Sequence, residues 1–225
     1  MTSAGASGFV RAARVSDAPG LARIQVESWR ASLAGLVPDE VLGELASTRA
    51  AEQFTERWRD AIANPPTGRH RVHVAVDAAA PPESGAAPAA EGPVAGGIVS
   101  GGTASMTPVG FASAGPATGE DKWPATDAEL YELHVLPAAA GQDWRLSLPS
   151  AGDPGHGARL LHAVADTLAD DGFRTACTWA LSEDSPRLEF LESAGWAPDG
   201  AHSNLDMGVK VPVVRLHTLL SPAAG

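Results

Sequence analysis

The chain has 225 residues, of which 44% are hydrophobic and 19% charged, a composition typical of a globular protein with one full-sized domain and not of a disordered chain. A formal net charge of −11 disfavours a nucleic-acid partner, because phosphate would be repelled, and is compatible with a cationic substrate such as an amine. No apolar run in the sequence is long enough to span a membrane, so no membrane partner is expected.

The first residues lack the basic-then-apolar order of a secretory signal. Cys177 is the only cysteine, so no disulfide can form within the chain. Both features favour a reducing, cytoplasmic location. We expect a single domain over residues 9–220, with flexible termini at 1–8 and 221–225.

Helical periodicity dominates the first third of the chain. The stretch 16–33 predicts a helix, with Ser16 and Asp17 as capping candidates and a proline in the first turn. A short helix is expected after Pro38. A third helix is expected over residues 48–64, where an apolar side chain recurs every fourth residue.

Strand patterns follow. The stretch "HRVHVAVD" at residues 70–77 alternates as a half-buried strand does. Residues 78–93 are small, proline-rich and aperiodic, which indicates a mobile loop between two strands. Further strands are expected in "VAGGIVSGG" (94–102), "VGFASAG" (109–115) and "AELYELHVL" (128–136).

A loop at residues 138–154 leads into the last part of the chain, for which we predict helices and strands in alternation. These are the helix 158–172, the strand 175–182, the helix 186–195, and the strands 203–208 and 213–220. The connection from strand 128–136 through the helix to strand 175–182 has βαβ form and predicts a parallel, right-handed crossover. The whole is an α/β fold with a mixed sheet.

The stretch "GDPGHGARLL" places Gly155 and Gly157 at the start of that crossover helix. Glycines at a helix N-terminus expose backbone N–H groups that can bind an anionic ligand. The loop is neither a Walker loop, since no Gly-Lys-Ser/Thr follows, nor a dinucleotide fingerprint, since a third glycine is missing.

Five motifs in order resemble the GCN5-related N-acetyltransferase (GNAT) superfamily. They are "VRAARVSDAPGLARIQVESWRASLAGLVPDEVL", "GFASAGP", "ELYELHVLP", "GHGARLL" and "FLESAGW". The resemblance implies a GNAT-like mixed β-sheet flanked by helices, with one βαβ crossover at the cofactor loop. It also implies that acetyl-CoA, the co-substrate, donates an acetyl group to a primary amine by direct attack in a ternary complex, and it is compatible with a homodimer.

The resemblance also assigns a cofactor site. The strand "ELHVL" would splay from its parallel neighbour, so that the arm of the cofactor pairs with backbone groups in the gap, and N–H groups of the glycine loop would bind the pyrophosphate. Asp184 stands where many relatives have an asparagine that contacts the cofactor arm. The cofactor residues expected on this basis are Leu133, His134, Val135, Gly155, His156, Gly157, Ala158, Arg159 and Asp184.

Two positions depart from the pattern of the family. Gly152 stands where the loop usually has Gln or Arg; Gln142 or Arg145 of the insert at 138–154 could replace it, or the insert could be a plain surface loop. Leu191 stands where many relatives have a tyrosine that protonates the leaving thiolate. An alternative function is therefore a catalytically degenerate, acyl-CoA-binding or regulatory module.

The remaining chemistry needs a base, and Glu129 is the first candidate because some members of the superfamily use a strand glutamate to deprotonate the amine. His134 is the second, since its ordinary pKa suits proton transfer. Strict alternation would place Glu129, Tyr131, Leu133 and Val135 on one face of the strand, and Leu130, Glu132 and His134 on the other. The backbone N–H of Val135 is the candidate donor to the carbonyl oxygen of the acyl group.

Trp29, Arg30 and Tyr131 are the candidate residues for acceptor binding. The resemblance places the end of the first helix in the acceptor wall, where an aromatic ring can stack on a cationic amine. No metal site is expected, because a strand would turn His70 and His73 to opposite faces.

Overall fold

The computed structural model describes residues 8–76, 107–137 and 155–220. The predicted loop at 78–93 and the strand at 94–102 lie outside these ranges. So do the insert at 138–154, with its Gln142 and Arg145, and the terminal residues 1–7 and 221–225.

Five α-helices and seven strands make up the regular structure of the described part of the chain, besides one short turn of 3-10 helix. The helices are α1 (Ala18–Leu33), α2 (Asp39–Leu45), α3 (Thr48–Ala63), α4 (Gly155–Asp170) and α5 (Ser185–Ser193). The strands are β1 (Phe9–Ala12), β2 (Arg71–Val76), β3 (Pro108–Pro116), β4 (Asp127–Val135), β5 (Thr175–Leu181), β6 (Ala197–Asp206) and β7 (Lys210–Leu219).

These strands form one mixed sheet in the order β1-β2-β3-β4-β5-β7-β6. The pair β4–β5 is parallel, whereas the other five pairs are antiparallel. The predicted α/β fold with a mixed sheet and a βαβ crossover is confirmed, with α4 as the crossover helix between the two parallel strands.

Helices cover both faces of the sheet. Val74 and Val76 of β2 pack in one core cluster with Leu21 and Ile24 of α1, whereas Ala75 packs in another. That second cluster contains four side chains of α4, namely Leu160, Leu161, Val164 and Leu168. Because successive strand residues point to opposite faces, α1 and α4 lie on opposite sides of the sheet.

The first helix begins later than its capping signal suggests. A turn of 3-10 helix covers Val15–Asp17, and α1 starts at Ala18. The Asp17 carboxylate accepts hydrogen bonds from the Arg14 N–H (2.7 Å) and from the Arg11 guanidinium (2.7 and 2.9 Å). Asp17 therefore joins β1 to the start of α1 instead of capping the α1 N–H groups.

Strand β6 also differs from its prediction, since it begins at Ala197 and not at Ser203. Nearly all of its residues are exposed, and it pairs with β7 across an irregularity between Pro198 and His202. An exposed edge strand carries no alternation of buried and polar residues, so its first half had no periodic signal in the sequence.

Candidate functional site

A cavity of about 380 Å³ opens between the end of α1, the last half of β4, β5 and the β6–β7 hairpin. Its lining includes the aromatic residues Trp29 and Trp179, the three acidic residues Glu132, Asp184 and Asp206, and one basic residue, Arg187. Such a mixture of apolar walls and a few convergent polar groups is typical of a small-molecule site. Acidic and aromatic groups together suit a cationic ligand.

An irregularity in β4 decides which of its side chains face this cavity. Ala114 of β3 pairs with Leu130, but the next residue, Ser113, pairs with Glu132, so that Tyr131 is an extra residue in β4. Such a bulge changes the face on which all following residues lie. The strict alternation expected from the sequence is therefore wrong at this point.

The burial of β4 shows the consequence of the bulge. Leu130, Leu133 and Val135 all lie in the core cluster that contains α4, although alternation had assigned Leu130 to the face of Glu132. Glu132 and His134 lie on the opposite face, toward α1, where both line the cavity.

Glu132 and His134 belong to a hydrogen-bonded chain that begins in the core. The Trp58 indole N–H donates to Gln25 Oε1 (2.9 Å), and the Gln25 amide donates to Glu132 Oε1 (3.1 Å). Glu132 Oε2 lies 2.5 Å from His134 Nε2, and His134 Nδ1 lies 2.9 Å from the Ser28 hydroxyl.

This chain fixes the orientation of the two groups that could exchange a proton with a ligand. Gln25 is fully buried and His134 is 3% exposed, so neither can turn toward bulk water. Each oxygen of the Glu132 carboxylate has a fixed partner, which aligns it relative to the cavity. Proton acceptors held in one orientation are what general-base chemistry requires.

Beside the cavity, β4 separates from β5. The two strands pair only from Asp127↔Thr175 to Glu129↔Cys177. Beyond that point, side chains bind the carbonyl oxygens of β4: the Thr178 hydroxyl donates to the Leu130 carbonyl (2.8 Å). A gap between strands therefore opens along the second half of β4.

The Leu133 carbonyl points into this gap, where the Arg187 Nη1 donates to it (2.9 Å). Arg187 comes from the first turn of α5 and also lines the cavity. Its Nε is buried with no hydrogen-bond partner among the described residues. Burial lowers the pKa of its guanidinium, while the nearby Asp184 and Glu132 carboxylates oppose that change.

The predicted glycine loop opens α4. Gly155 is the first residue of the helix and has a φ of 73°, a conformation that glycine adopts without strain. Gly157 is buried, and the His156 Nδ1 lies 3.4 Å from the Arg159 guanidinium. The backbone of Gly8, just before β1, approaches both side chains: a Cβ there would lie 2.7 Å from His156 and 2.9 Å from Arg159.

Four of the residues expected at the site do line the cavity: Trp29, Tyr131, His134 and Asp184. Trp29 stands edge-on to Phe54 (5.5 Å between ring centroids) and to His134 (6.4 Å). Asp184 caps α5 by accepting from the Arg187 N–H at 3.3 Å.

Two other expected residues are not part of the cavity wall. Arg30 is exposed and is absent from the lining, as is Glu129. The Glu129 carboxylate accepts hydrogen bonds from the Thr118 N–H (3.1 Å) and hydroxyl (2.9 Å).

Tyr131 lines the cavity, but its hydroxyl donates to the Pro116 carbonyl at 2.5 Å. Burial, reinforced by the charge of Glu129, raises the pKa of this phenol to about 12. A phenol with such a pKa is a weak proton donor, because the proton is held too tightly near neutral pH.

Four residues discussed in the sequence analysis do not line the cavity: Leu191, Cys177, His70 and His73. Leu191 is fully buried in the core cluster that includes α4. Burial raises the pKa of the Cys177 thiol to about 11. His70 stacks on Tyr131 with 6.1 Å between ring centroids, whereas His73 is paired with Thr167 of α4. Within the described ranges no cluster of ligand-type side chains could hold a metal ion.

The sequence had not indicated Glu132, Gln25, Trp179 or Arg187 as site residues. Glu132 lies in a quoted motif, but the bulge that turns it toward the cavity has no signature in the sequence. Arg187 carried a usable signal, since it precedes Leu191 by one helical turn and therefore shares its face of α5.

In the ranges that the structure describes, no helix is both long and apolar enough to cross a bilayer. No family model matches the chain. An uncharacterised N-acetyltransferase of Bacillus subtilis strain 168, YuaI, is 25% identical to it over 209 residues, which cover 92% of this chain and 90% of YuaI.

Solved structures share the fold. The PaiA N-acetyltransferase of Thermoplasma acidophilum, in complex with coenzyme A, superposes with a TM-score of 0.56 at 15% identity, over 95% of this chain and 99% of its own. YncA of Salmonella typhimurium, a candidate acetyltransferase solved with acetyl-CoA, superposes with a TM-score of 0.56 at 15% identity, over 97% and 96%. The chain therefore has the fold of the GCN5-related N-acetyltransferases, and the motif order and the likeness to YuaI point to the same superfamily.

Proposed function

We propose that this protein is an N-acetyltransferase that transfers the acetyl group of acetyl-CoA directly to a primary amine held in the cavity. One observation carries the proposal: β4 separates from β5 after three residue pairs, and the gap lies directly beside the cavity. The hydrogen-bonded pair Glu132–His134 lines that cavity. The shared fold and the likeness to YuaI, which is named as an N-acetyltransferase, support the same reaction.

The residues present fit the cofactor. The Leu133 carbonyl already accepts a hydrogen bond inside the gap, and Val135, two residues later, directs its peptide group to the same side of the strand. These groups would pair with the amides of the pantetheine arm. The backbone N–H groups of residues 155–159 at the start of α4 would bind the pyrophosphate, with Arg159 beside them.

Acetyl-CoA supplies a thioester whose carbonyl carbon an amine can attack. The protein must then hold the amine in its unprotonated form and align it with that carbon, which can contribute up to ~7–11 kcal/mol to the rate. We assign the removal of the amine proton to Glu132, with His134 as its hydrogen-bonded partner, because this pair lines the cavity whereas Glu129 does not. The Val135 N–H would donate to the carbonyl oxygen as it gains charge.

The acceptor is a cationic amine in this proposal. Carboxylates of Glu132, Asp184 and Asp206 line the cavity together with the rings of Trp29 and Trp179. Carboxylates attract an ammonium group electrostatically, and tryptophan faces bind cations. These contacts would draw the amine into the cavity, where Glu132 can deprotonate it.

The test uses the full chain with acetyl-CoA and a panel of primary amines, including polyamines, aminoglycosides, amino acids and peptides with free N-termini. We expect a rise in melting temperature with acetyl-CoA alone, since a ligand that binds only the folded state stabilises it, and release of free coenzyme A with at least one amine. The absence of any cofactor-induced shift would refute the proposal.

The second candidate is an acyl-CoA-binding module without catalytic activity. Leu191 favours it, because this residue stands where the resemblance expects a tyrosine, has no hydroxyl to donate a proton, and is fully buried in the core. A melting-temperature shift with acetyl-CoA, combined with no coenzyme A release across the amine panel, would select this candidate over the enzyme.

A further inference from the structure

The half-buried side chain of Arg187 takes part in none of the steps of the proposed reaction. It reaches from α5 into the gap between β4 and β5, where its Nη1 binds the Leu133 carbonyl. It also lines the cavity, so it stands where the gap proposed for the cofactor arm meets the pocket proposed for the amine.

The charge of Arg187 is incompletely compensated. Among the described residues its side chain makes one hydrogen bond, to a neutral carbonyl, and its Nε has no partner. Asp184 and Glu132 lie close enough to influence it electrostatically, but neither forms an ion pair with it. Arginine cannot lose its proton in a protein, so a half-buried guanidinium with a buried, unpartnered Nε is stabilised by any anion that enters the gap.

Its position on α5 indicates which anion that is. Arg187 precedes Leu191 by four residues, so both side chains lie on one face of the helix. Leu191 stands at the position where related enzymes carry the proton donor for the leaving sulfur, and here it is a fully buried core residue. One turn earlier, the same face presents a cation to the cavity.

We infer that Arg187 stabilises the thiolate of coenzyme A as it leaves, and so replaces by charge the proton donor that Leu191 cannot provide. This inference rests on the proposed function. In the step concerned, the amine nitrogen forms a bond to the acetyl carbon, the carbon–sulfur bond breaks, and sulfur keeps the electron pair beside the guanidinium. The amine proton passes to Glu132 and from there to solvent, from which the thiolate is protonated after release.

The decisive measurement is the thiol titration of free coenzyme A bound to the protein, followed by the ultraviolet absorbance of the thiolate. A cation close to sulfur lowers a thiol pKa by about one to three units, so bound coenzyme A should titrate at least about one unit below free coenzyme A in the same buffer. The protein's own Cys177 does not interfere, because burial raises its pKa to about 11.

The matched variants are Arg187→Met, which keeps an unbranched, flexible side chain without the charge, and Arg187→Lys, which keeps the charge. In R187M the pKa of the bound thiol should return to that of free coenzyme A, whereas R187K should retain part of the shift. Equal titration curves in R187M and wild type would overturn the inference. So would an unshifted thiol in the wild type, a result that needs no variant to fold.

Turnover provides an independent measurement. R187M should lower kcat about 100-fold, as the loss of one charged or hydrogen-bonding group at a reacting atom commonly does, and leave the KM for acetyl-CoA within about threefold. Added guanidinium chloride at non-denaturing concentration should restore part of the kcat of Arg187→Ala. An unchanged kcat in R187M would contradict the inference.

These results separate the two proposals. If coenzyme A does not bind to the wild type, the proposed function and the inference both fail. If coenzyme A binds and acetyl transfer occurs, but the thiol titrates as in free solution, the role of Arg187 fails while the proposed function stands.

Discussion

Two glutamates three residues apart in β4 illustrate how local geometry assigns chemistry. Glu129 satisfies its carboxylate with the Thr118 N–H and hydroxyl. Glu132 follows the bulge, lies against His134 and lines the cavity. The sequence pointed to Glu129 as the base and did not indicate Glu132; the bulge at Tyr131, which lies between the two residues, arises only in the paired strands.

We predict that Glu132→Gln lowers kcat at neutral pH about 100-fold or more, the usual contribution of a general base. The deficit should shrink at alkaline pH, where the amine loses its proton without help. Glu129→Gln is the matched control and should retain most of the activity across the same pH profile. A larger loss in E129Q than in E132Q would transfer the base to Glu129.

Leu191 yields a prediction about stability. Leu191→Tyr adds a ring and a hydroxyl to a site that is fully buried, so the free energy of unfolding should fall by about 1–3 kcal/mol in urea denaturation, without gain of activity. Leu191→Met, close in volume, should cost less than about 1.5 kcal/mol. A tyrosine variant as stable as wild type and more active would place this position at the cavity.

At the scale of elements, Asp17 connects β1 to α1 through the Arg11 guanidinium and the Arg14 N–H. Burial raises the pKa of the Asp17 carboxyl, but these hydrogen bonds outweigh burial, and the net pKa lies below its ordinary value. A carboxyl with a lowered pKa stabilises the fold above its ordinary pKa, and the stabilisation is lost as the pH falls toward the folded-state value.

Asp17→Asn should therefore lower the free energy of unfolding by about 1–3 kcal/mol at pH 7, and the difference from wild type should narrow below about pH 4. Glu27→Gln is the control, since its 3.5 Å pair with Arg23 is exposed on both sides and contributes less than about 1 kcal/mol. If the difference in free energy of unfolding between D17N and wild type stays the same at low pH, the Asp17–Arg11 ion pair is not its cause.

The contact of α4 with β3 depends on Gly110. A Cβ at this position would lie 2.9 Å from the His134 carbonyl oxygen and 3.2 Å from Leu160 Cδ1. Gly110→Ala should therefore destabilise the protein by about 1–3 kcal/mol through overpacking. Because the clash involves the β4 backbone beside the proposed cofactor gap, the affinity for acetyl-CoA should also fall.

Gly43 of α2 offers the contrasting substitution, since nothing lies within 4 Å of a Cβ there. Gly43→Ala should stabilise the protein by about 0.5–1 kcal/mol, because alanine favours helix more than glycine does. Thermal or urea unfolding of both variants tests these two predictions. If G110A were as stable as G43A, β3 and α4 would be able to move apart without cost, contrary to the prediction.

At the scale of the whole molecule, the protein carries a net charge of −11, and the acidic residues that line the cavity add to the same negative field. Their summed field should concentrate cationic acceptors near the cavity, and salt screens such a field over about 10 Å at 0.1 M ionic strength. We predict that the KM for a cationic amine rises severalfold between low salt and ~0.15 M salt. The KM for acetyl-CoA, which is anionic, should stay constant or fall over the same range. If the KM values of both substrates rise together, salt acts on the fold in general and not on the field at the cavity.

Much of the architecture was predictable because its signals are local. The pattern of residues 158–172 predicted helix α4, and the order of strands and helix around it predicted the parallel pair β4–β5. The start of β6 was missed because an exposed edge strand has no alternation to read. At the site, Trp29, Tyr131, His134 and Asp184 were expected and do line one cavity, whereas Glu132 and Arg187 were not.

The sequence by itself determined most of the elements, their order and the glycines at the start of α4, since periodicity and backbone freedom are properties of a short stretch of chain; strand β1 was not among the predicted elements. Only the tertiary structure decided that Glu132 faces the cavity, because a bulge arises from the pairing of two strands far apart in the chain. It also decided the placement of Arg187. From the sequence, a charged residue in the first turn of a helix is expected in solvent, whereas the separation of β4 from β5 provides the space in which its guanidinium reaches the Leu133 carbonyl.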